Sequence, residues 1–177
     1  MIKEITDIDA FDKAAEEWNN DTNLSFWQKL GVEQKHNFNA DSIETRFRLM
    51  FLQSLTNPKQ EEKIKLWSYE EDGKSIAGCA FSENYNFLMG ENVLQEMLWQ
   101  FNGKFAKTYK EVKILNLLLK HAEEYARSKK LDSIIIGRDP RLHKPFMNNN
   151  IEIKNYYTNQ DYTAFSVFYI KSLKNKS

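Results

Sequence analysis

Residues Val93–Arg138 read VLQEMLWQFNGKFAKTYKEVKILNLLLKHAEEYARSKKLDSIIIGR, and this run decides the fold. Val93 to Phe101 is short, aromatic and apolar, the composition of a buried strand, and Ser133 to Ile136 is apolar and β-branched. Between them Val112, Leu115, Leu119, Ala122 and Ala126 recur at spacings of three and four, which predicts one face of a helix. Ile114, Leu117, Leu118 and Tyr125 widen that stripe, so the helix is expected to lie deep against a sheet. Lys110, Lys113, Lys120, Glu123, Glu124, Arg127 and Lys129 are expected to stay solvated. A strand, helix, strand unit of this length predicts a right-handed crossover between parallel strands, and the crevice at the helix N-terminus is where such units bind anions. The packing expected is Leu115, Leu119 and Ala122 buried against a mixed sheet that holds Val93–Phe101 and Ser133–Ile136 as parallel neighbours.

Outward from this unit the chain punctuates itself. Met1 to Ile5 alternates as a short strand would, and Thr6 or Asp7 can cap a helix from about Ile8 to Trp18 with Ile8, Phe11, Ala15 and Trp18 on one face. Asn19 to Asn39 is polar and rich in asparagine, interrupted by Leu24, Phe26, Trp27, Leu30 and Val32, and reads as a loop with one short helix. Asp41 or Ser42 begins a second helix, with Glu44 placed for a capping box and Ile43, Phe47, Met50, Phe51 and Leu55 inward; Asn57-Pro58 ends it. After a charged linker over Glu61–Lys65, Ile64–Tyr69 and Ser75–Phe81 flank Glu71-Asp72-Gly73-Lys74, where Asp-Gly signals a hairpin turn. A further strand is expected to reach Leu88. Beyond the central unit Asp139-Pro140 breaks the chain, Leu142–Asn148 has room for a short helix, and Ile151–Tyr157 and Thr163–Ile170 read as strands around an Asn159-Gln160-Asp161 turn. No repeat and no domain boundary is visible, so one domain over 1–177 is expected.

Composition bounds the function. The 177 residues are enough for one sizeable core, and 41% hydrophobic and 14% aromatic residues exclude global disorder. Zero formal net charge argues against a general electrostatic grip on nucleic acid or an anionic membrane, although Lys104–Lys130 carries eight basic and three acidic residues. The one cysteine, Cys79, makes no internal disulfide, and Met1 is followed by a charged stretch where a signal peptide is apolar, so a cytoplasmic protein is expected. No run approaches the roughly 18 to 20 apolar residues of a membrane span. His36, His121 and His143 are too scattered to suggest a metal site, and there is no phosphate-binding loop or nucleophile elbow.

The order is strand, helix, helix, hairpin, strand, helix, strand, short helix and two final strands. In that order, in Ile76-Ala77-Gly78 of DGKSIAG, and in LLLKHAEEYARSKKLDSIII, the chain resembles the GNAT superfamily of N-acetyltransferases over nearly its whole length. The resemblance implies an α/β (α+β) fold: a central mixed, mostly antiparallel sheet whose parallel fourth and fifth strands splay into a V, with helices on both faces. It implies acetyl-CoA in that V, its pantetheine arm paired to the fourth strand at Trp99, Gln100 and Phe101. Its pyrophosphate would lie on the long helix's start at Lys110, Lys113, Ile114, Leu115 and Asn116. A neutral amine, on a small molecule or a protein, would attack the thioester while a backbone N–H of the fourth strand stabilises the oxyanion, Glu96 removes a proton and a tyrosine protonates the thiolate.

Against that pattern, the window Lys110-Glu111-Val112-Lys113-Ile114-Leu115 places Lys113 and Leu115 where the family has glycine, and Asn102–Lys110 is a few residues longer than usual. Phe146 stands at the usual tyrosine position and cannot give a proton, which leaves Tyr156 or Tyr157 for the role. Lys104, Lys107, Lys110 and Lys113 read either as charges facing a pyrophosphate or as a solvated face. Glu96 reads as a buried general base or as a partner of a lysine; Gln95 and Glu96 cannot both face inward. Trp99 and Phe101 read as core or as acyl pocket. Two functions follow: a GNAT-type N-acetyltransferase, or a GNAT-fold binding or structural protein without catalysis. Acetyltransferase-like phage proteins include such cases, and lysine in excess of arginine with abundant asparagine fits an AT-rich genome. An exposed edge at the sixth or seventh strand offers a surface on which two copies could pair as a homodimer.

Overall fold

The computed structural model describes residues 1–18, 40–57, 59, 62–102 and 109–136, with side chains from residue 45 in the second of these stretches. Along the chain these form β1 (Ile2–Glu4), α1 (Ile8–Trp18), α2 (Ala40–Thr56), β2 (Lys63–Glu71), β3 (Lys74–Asn86), β4 (Glu91–Phe101), α3 (Tyr109–Ser128) and β5 (Ser133–Ile135). The strands make one sheet in the order β1-β2-β3-β4-β5. The first three pairings are antiparallel and β4 with β5 is parallel, with Val93, Leu94 and Gln95 opposite Ser133, Ile134 and Ile135. The mixed sheet and its parallel pair are those the sequence predicts. The expected loop and short helix over 19–39, and the helix and two strands expected after Asp139, lie outside the described residues.

Local chemistry sets each boundary. Asp7 is the cap of α1, its Oδ1 accepting the Ala10 N–H at 2.7 Å. Asp72 (φ 51°) and Gly73 (φ 76°) both lie in the left-handed region, as a two-residue hairpin turn of the favoured hand requires. At the β3–β4 turn Asn86 Oδ1 accepts the N–H groups of Leu88 at 3.0 Å and Met89 at 3.2 Å, and Gly90 closes it at φ 71°. β3 therefore runs unbroken to Asn86 where a separate strand to Leu88 was expected, and β2 begins at Lys63 inside the expected linker. α3 stops because Lys130 turns left-handed (φ 56°). Its N–H bonds the Arg127 carbonyl, and the Leu131 N–H reaches back to Ala126 at 3.0 Å.

The sheet buries an apolar cluster on each face. On one, Phe11, Trp18, Phe47 and Phe51 from α1 and α2 pack on Ile64, Leu66 and Ala80. The Phe11 ring lies 5.2 Å from Phe47 and 6.2 Å from Phe51. Trp18 lies against Gly78, where any Cβ would come within 2.1 Å of the indole, and its Nε1 donates to Ser75 Oγ at 2.8 Å. On the other face Ile114, Leu115, Leu118, Ala122 and Ala126 of α3 pack on Trp67, Phe81, Leu94 and Phe101. Leu115, Leu119 and Ala122 are buried as expected.

Two expected inward residues are exposed. Leu55 is 42% exposed because the last turn of α2 runs past the aromatic cluster that covers Phe47 and Phe51. Leu117 is 38% exposed because the buried stripe of α3 is centred on Ile114 and Leu118, which turns position 117 outward and brings Glu111 in. Lys110, expected to be solvated, is half-buried against the β2–β3 hairpin.

Candidate functional site

β4 carries an irregularity that changes which way its side chains face. Ala80 pairs with Leu98, but the next residue of β3, Phe81, pairs with Glu96, so Met97 is an extra residue with no partner on β3. Residues opposite one another share a face of the sheet. Glu96, Trp99 and Phe101, opposite Phe81, Cys79 and Ala77, therefore lie on the α3 face, while Leu98 and Gln100, opposite Ala80 and Gly78, lie on the α1 face. Without the bulge Glu96 and Leu98 would share a face. The bulge thus turns the carboxylate of Glu96 toward α3 and leaves Met97 packed with Leu98 against the α1–α2 cluster.

On its other edge β4 pairs with β5 over Val93–Gln95. Among the described residues no strand pairs with the row Glu96–Phe101 on that side. Gln95 is exposed and Glu96 half-buried, in keeping with the requirement that only one of them turn inward. The Trp99 ring meets Phe81 edge-on at 5.8 Å, and Phe101 belongs to the α3-face cluster, so both rings wall the α3 side of this row. Gln100 is 8% exposed, with its side chain on the α1 face.

The end of β4 is tied down from two sides. The Asn102 N–H donates to the Ile76 carbonyl at 2.9 Å and its Nδ2 donates to the Glu17 carbonyl at 2.8 Å. Glu17 Oε2 in turn accepts the Ser75 N–H at 2.6 Å. The C-terminus of α1, the start of β3 and the exit of β4 are thereby one junction.

The start of α3 differs from the loop that the Lys110–Leu115 window predicts. α3 begins at Tyr109, so the whole window is helical, and from Lys113 onward each N–H is opposite a carbonyl four residues back. Ile114 and Leu115 are 2% and 4% exposed and their side chains belong to the core. Lys113 and Asn116 are exposed. Lys110 Nζ is paired with the Glu71 carboxylate at the end of β2. Glu111, in the first turn, is 4% exposed. Its position three and four residues before Ile114 and Leu115 is the signal that would have found it. Met97 has no such signal, since a bulge without glycine leaves no mark on an apolar strand.

At the far end of α3 the Tyr125 hydroxyl donates to Glu83 Oε2 at 2.7 Å. Burial, reinforced by the hydrogen bond and charge of Glu83, pushes the phenol well above its ordinary value. Tyr156, Tyr157, Phe146, Lys104 and Lys107 lie outside the described residues. Among the described residues no three His, Cys, Asp or Glu side chains come together as a metal site would need, and no helix is long and apolar enough to cross a membrane.

No family model matches the chain, and none of the curated proteins compared with it matches in sequence. Its likeness is to solved structures. A protein of Clostridium difficile 630 described as "a possible acetyltransferase" is 13% identical, with a TM-score of 0.62 over 99% of this chain and 98% of that one. The ribosomal-protein-alanine N-acetyltransferase of Brucella melitensis biovar Abortus 2308 is 11% identical, with a TM-score of 0.56 over 97% of this chain and 99% of that one. A GNAT family acetyltransferase of Staphylococcus aureus is 14% identical, with a TM-score of 0.51 over 98% of each chain. At these identities the likeness is one of fold.

Proposed function

We propose that this chain, which has the GNAT fold, is an acyl-CoA-dependent N-acyltransferase that passes an acetyl group from acetyl-CoA to an amine in the cytoplasm. The observation that carries this reading is β4, where a bulge at Met97 lies on the edge just beyond Gln95, the last residue paired with β5 among the described residues. That edge suits the amide-bearing arm of acyl-CoA, whose thioester supplies an activated acyl group. A neutral amine nitrogen forms the new C–N bond as the C–S bond breaks. A backbone N–H of the Glu96–Leu98 step donates to the acyl oxygen as negative charge builds there. Glu96, turned toward α3 by the bulge, takes the proton that the attacking nitrogen loses, directly or through a water. Tyr156 is assigned the proton for the departing thiolate. The acceptor amine is on a small molecule or on a protein, and the Brucella neighbour is named for a protein amine.

A second reading, a GNAT-fold binding or structural protein without catalysis, has its own observation. The window expected to cradle a pyrophosphate is helical, and its first lysine is held by Glu71. Free-thiol release from acetyl-CoA with a panel of small amines and N-terminal peptides separates the two. On the enzyme reading at least one amine drives release, and Glu96→Gln lowers kcat by about a hundredfold or more while the acetyl-CoA thermal shift stays. No release with any amine, and no thermal shift with acetyl-CoA, would leave the non-catalytic reading.

A further inference from the structure

We infer that the β2–β3 hairpin is a positioning element for the acyl donor, because it holds the end of β4 and the start of α3 at once. The inference rests on the acyltransferase reading and deepens it, naming residues that act on donor binding through the backbone of β4 and α3. β4 ends at Phe101 and α3 begins at Tyr109. At the strand end the Asn102 N–H donates to the Ile76 carbonyl at 2.9 Å, and its side-chain Nδ2 donates to the Glu17 carbonyl at 2.8 Å. Glu17 Oε2 accepts the Ser75 N–H at 2.6 Å. At the helix start Lys110 Nζ is paired with the Glu71 carboxylate. Ser75 and Ile76 lie at the start of β3, Glu71 closes β2, and Glu71 pairs with Lys74 across the left-handed Asp72-Gly73 turn. The strand end and the helix start are thus held by the two arms of one tight turn.

The two grips differ in kind. Ser75 is 3% exposed; its Oγ donates to Ser68 Oγ at 2.9 Å and accepts the Trp18 Nε1–H at 2.8 Å. The strand end is therefore fixed to a buried polar chain that runs from α1 through β3 to β2. The Lys110 and Glu71 side chains are 36% and 40% exposed, too solvated to contribute much to stability. Their attraction still has a direction, and it draws the first turn of α3 toward the hairpin. The acyltransferase reading places the donor beside β4, so its affinity depends on where the first turn of α3 stands relative to the strand. A misplacement of about 1 Å is enough to cost a large part of binding or rate. Glu71 and Asn102 are on this account positioning residues.

Calorimetric titration of the full chain with acetyl-CoA tests this. Asn102→Ala should weaken binding about tenfold, and Glu71→Gln about threefold to fivefold, the most that a half-exposed pair can supply. In turnover both losses should appear in the KM for acetyl-CoA, with kcat and the KM for the amine unchanged. Glu71→Gln should melt within about 3 °C of wild type, so its loss of affinity is not a loss of fold. The exchange of Glu71→Lys with Lys110→Glu should return affinity to within about twofold of wild type, because it restores the pair with its charges reversed. Unchanged affinity in Glu71→Gln would overturn the inference, and so would an exchange that fails to restore binding. Tighter binding in Glu71→Gln would also overturn it, since Glu71 would then be withholding Lys110 from direct contact with the donor. If Asn102→Ala does not fold, Glu71→Gln and the exchange decide. A wild-type chain that neither binds acetyl-CoA nor releases thiol from it would overturn the acyltransferase reading itself, a result distinct from any of these.

Discussion

At its C-terminal end α3 packs Tyr125 5.2 Å from the Trp67 ring, sends its hydroxyl to Glu83 and receives Lys65 and Lys129 at 5.5 and 5.8 Å from the ring centre. At its N-terminal end the same helix exposes Tyr109 at 85%, ties Lys110 to a hairpin and buries Glu111. One end is an apolar surface with polar groups satisfied at its rim. The other places opposite charges in adjacent positions where the helix axis itself carries charge. The contrast teaches that burial along a helix follows its period, whereas the use of its terminus depends on which neighbours reach it.

The contrast can be broken most forcefully in the middle of the packed half. Leu118 is fully buried in the α3-face cluster, so Leu118→Ala should cost about 2 to 5 kcal/mol in a denaturant melt. A cost near that of a surface change would mean that α3 is not seated on the sheet as described.

A smaller effect is expected at the C-terminal end, and it has a pH signature. Tyr125→Phe removes one hydrogen bond to a carboxylate and should cost about 0.5 to 1.5 kcal/mol at neutral pH. Because burial and Glu83 raise the folded phenol above its unfolded value, its contribution is present below the unfolded value of about 10 and is lost as pH rises beyond it. Wild-type stability should therefore fall more steeply above about pH 10 than that of Tyr125→Phe, as read from melts across alkaline pH. Parallel curves would show that the phenol is not held in its protonated form.

The smallest effect belongs to the N-terminal end. Lys110 and Glu71 side chains are 36% and 40% exposed, so Lys110→Ala should cost less than about 1 kcal/mol, and less still in high salt. If it cost as much as the leucine, the helix start would be a packing element and the contrast between the two ends would fail.

The packed half was legible in the sequence and the helix start was not. Spacings of three and four located the helix, and composition located β4 and β5, because burial of apolar side chains repeats with the period of each element. The same spacing left the stripe misplaced at Leu117. Glu111 went unmarked because a charged residue is read as solvent-facing wherever it stands. The lysines at 110 and 113 are equivalent in the sequence, and Glu71, far away in the chain, makes one of them a bound partner and leaves the other exposed.

What the sequence by itself determined is the alternation of elements, the Asp72-Gly73 turn and a helix cap at Thr6 or Asp7. These depend on a few neighbouring residues and on the period of the backbone. Only the tertiary structure decided that Trp18 is the ring over Gly78, that β4 slips by one residue at Met97, and that β5 pairs with β4 at Val93–Gln95. Each of these is a relation between segments distant in the chain. A strand's register and the unpaired length of its edge are set by the partner it meets, and no residue of β4 alone records either.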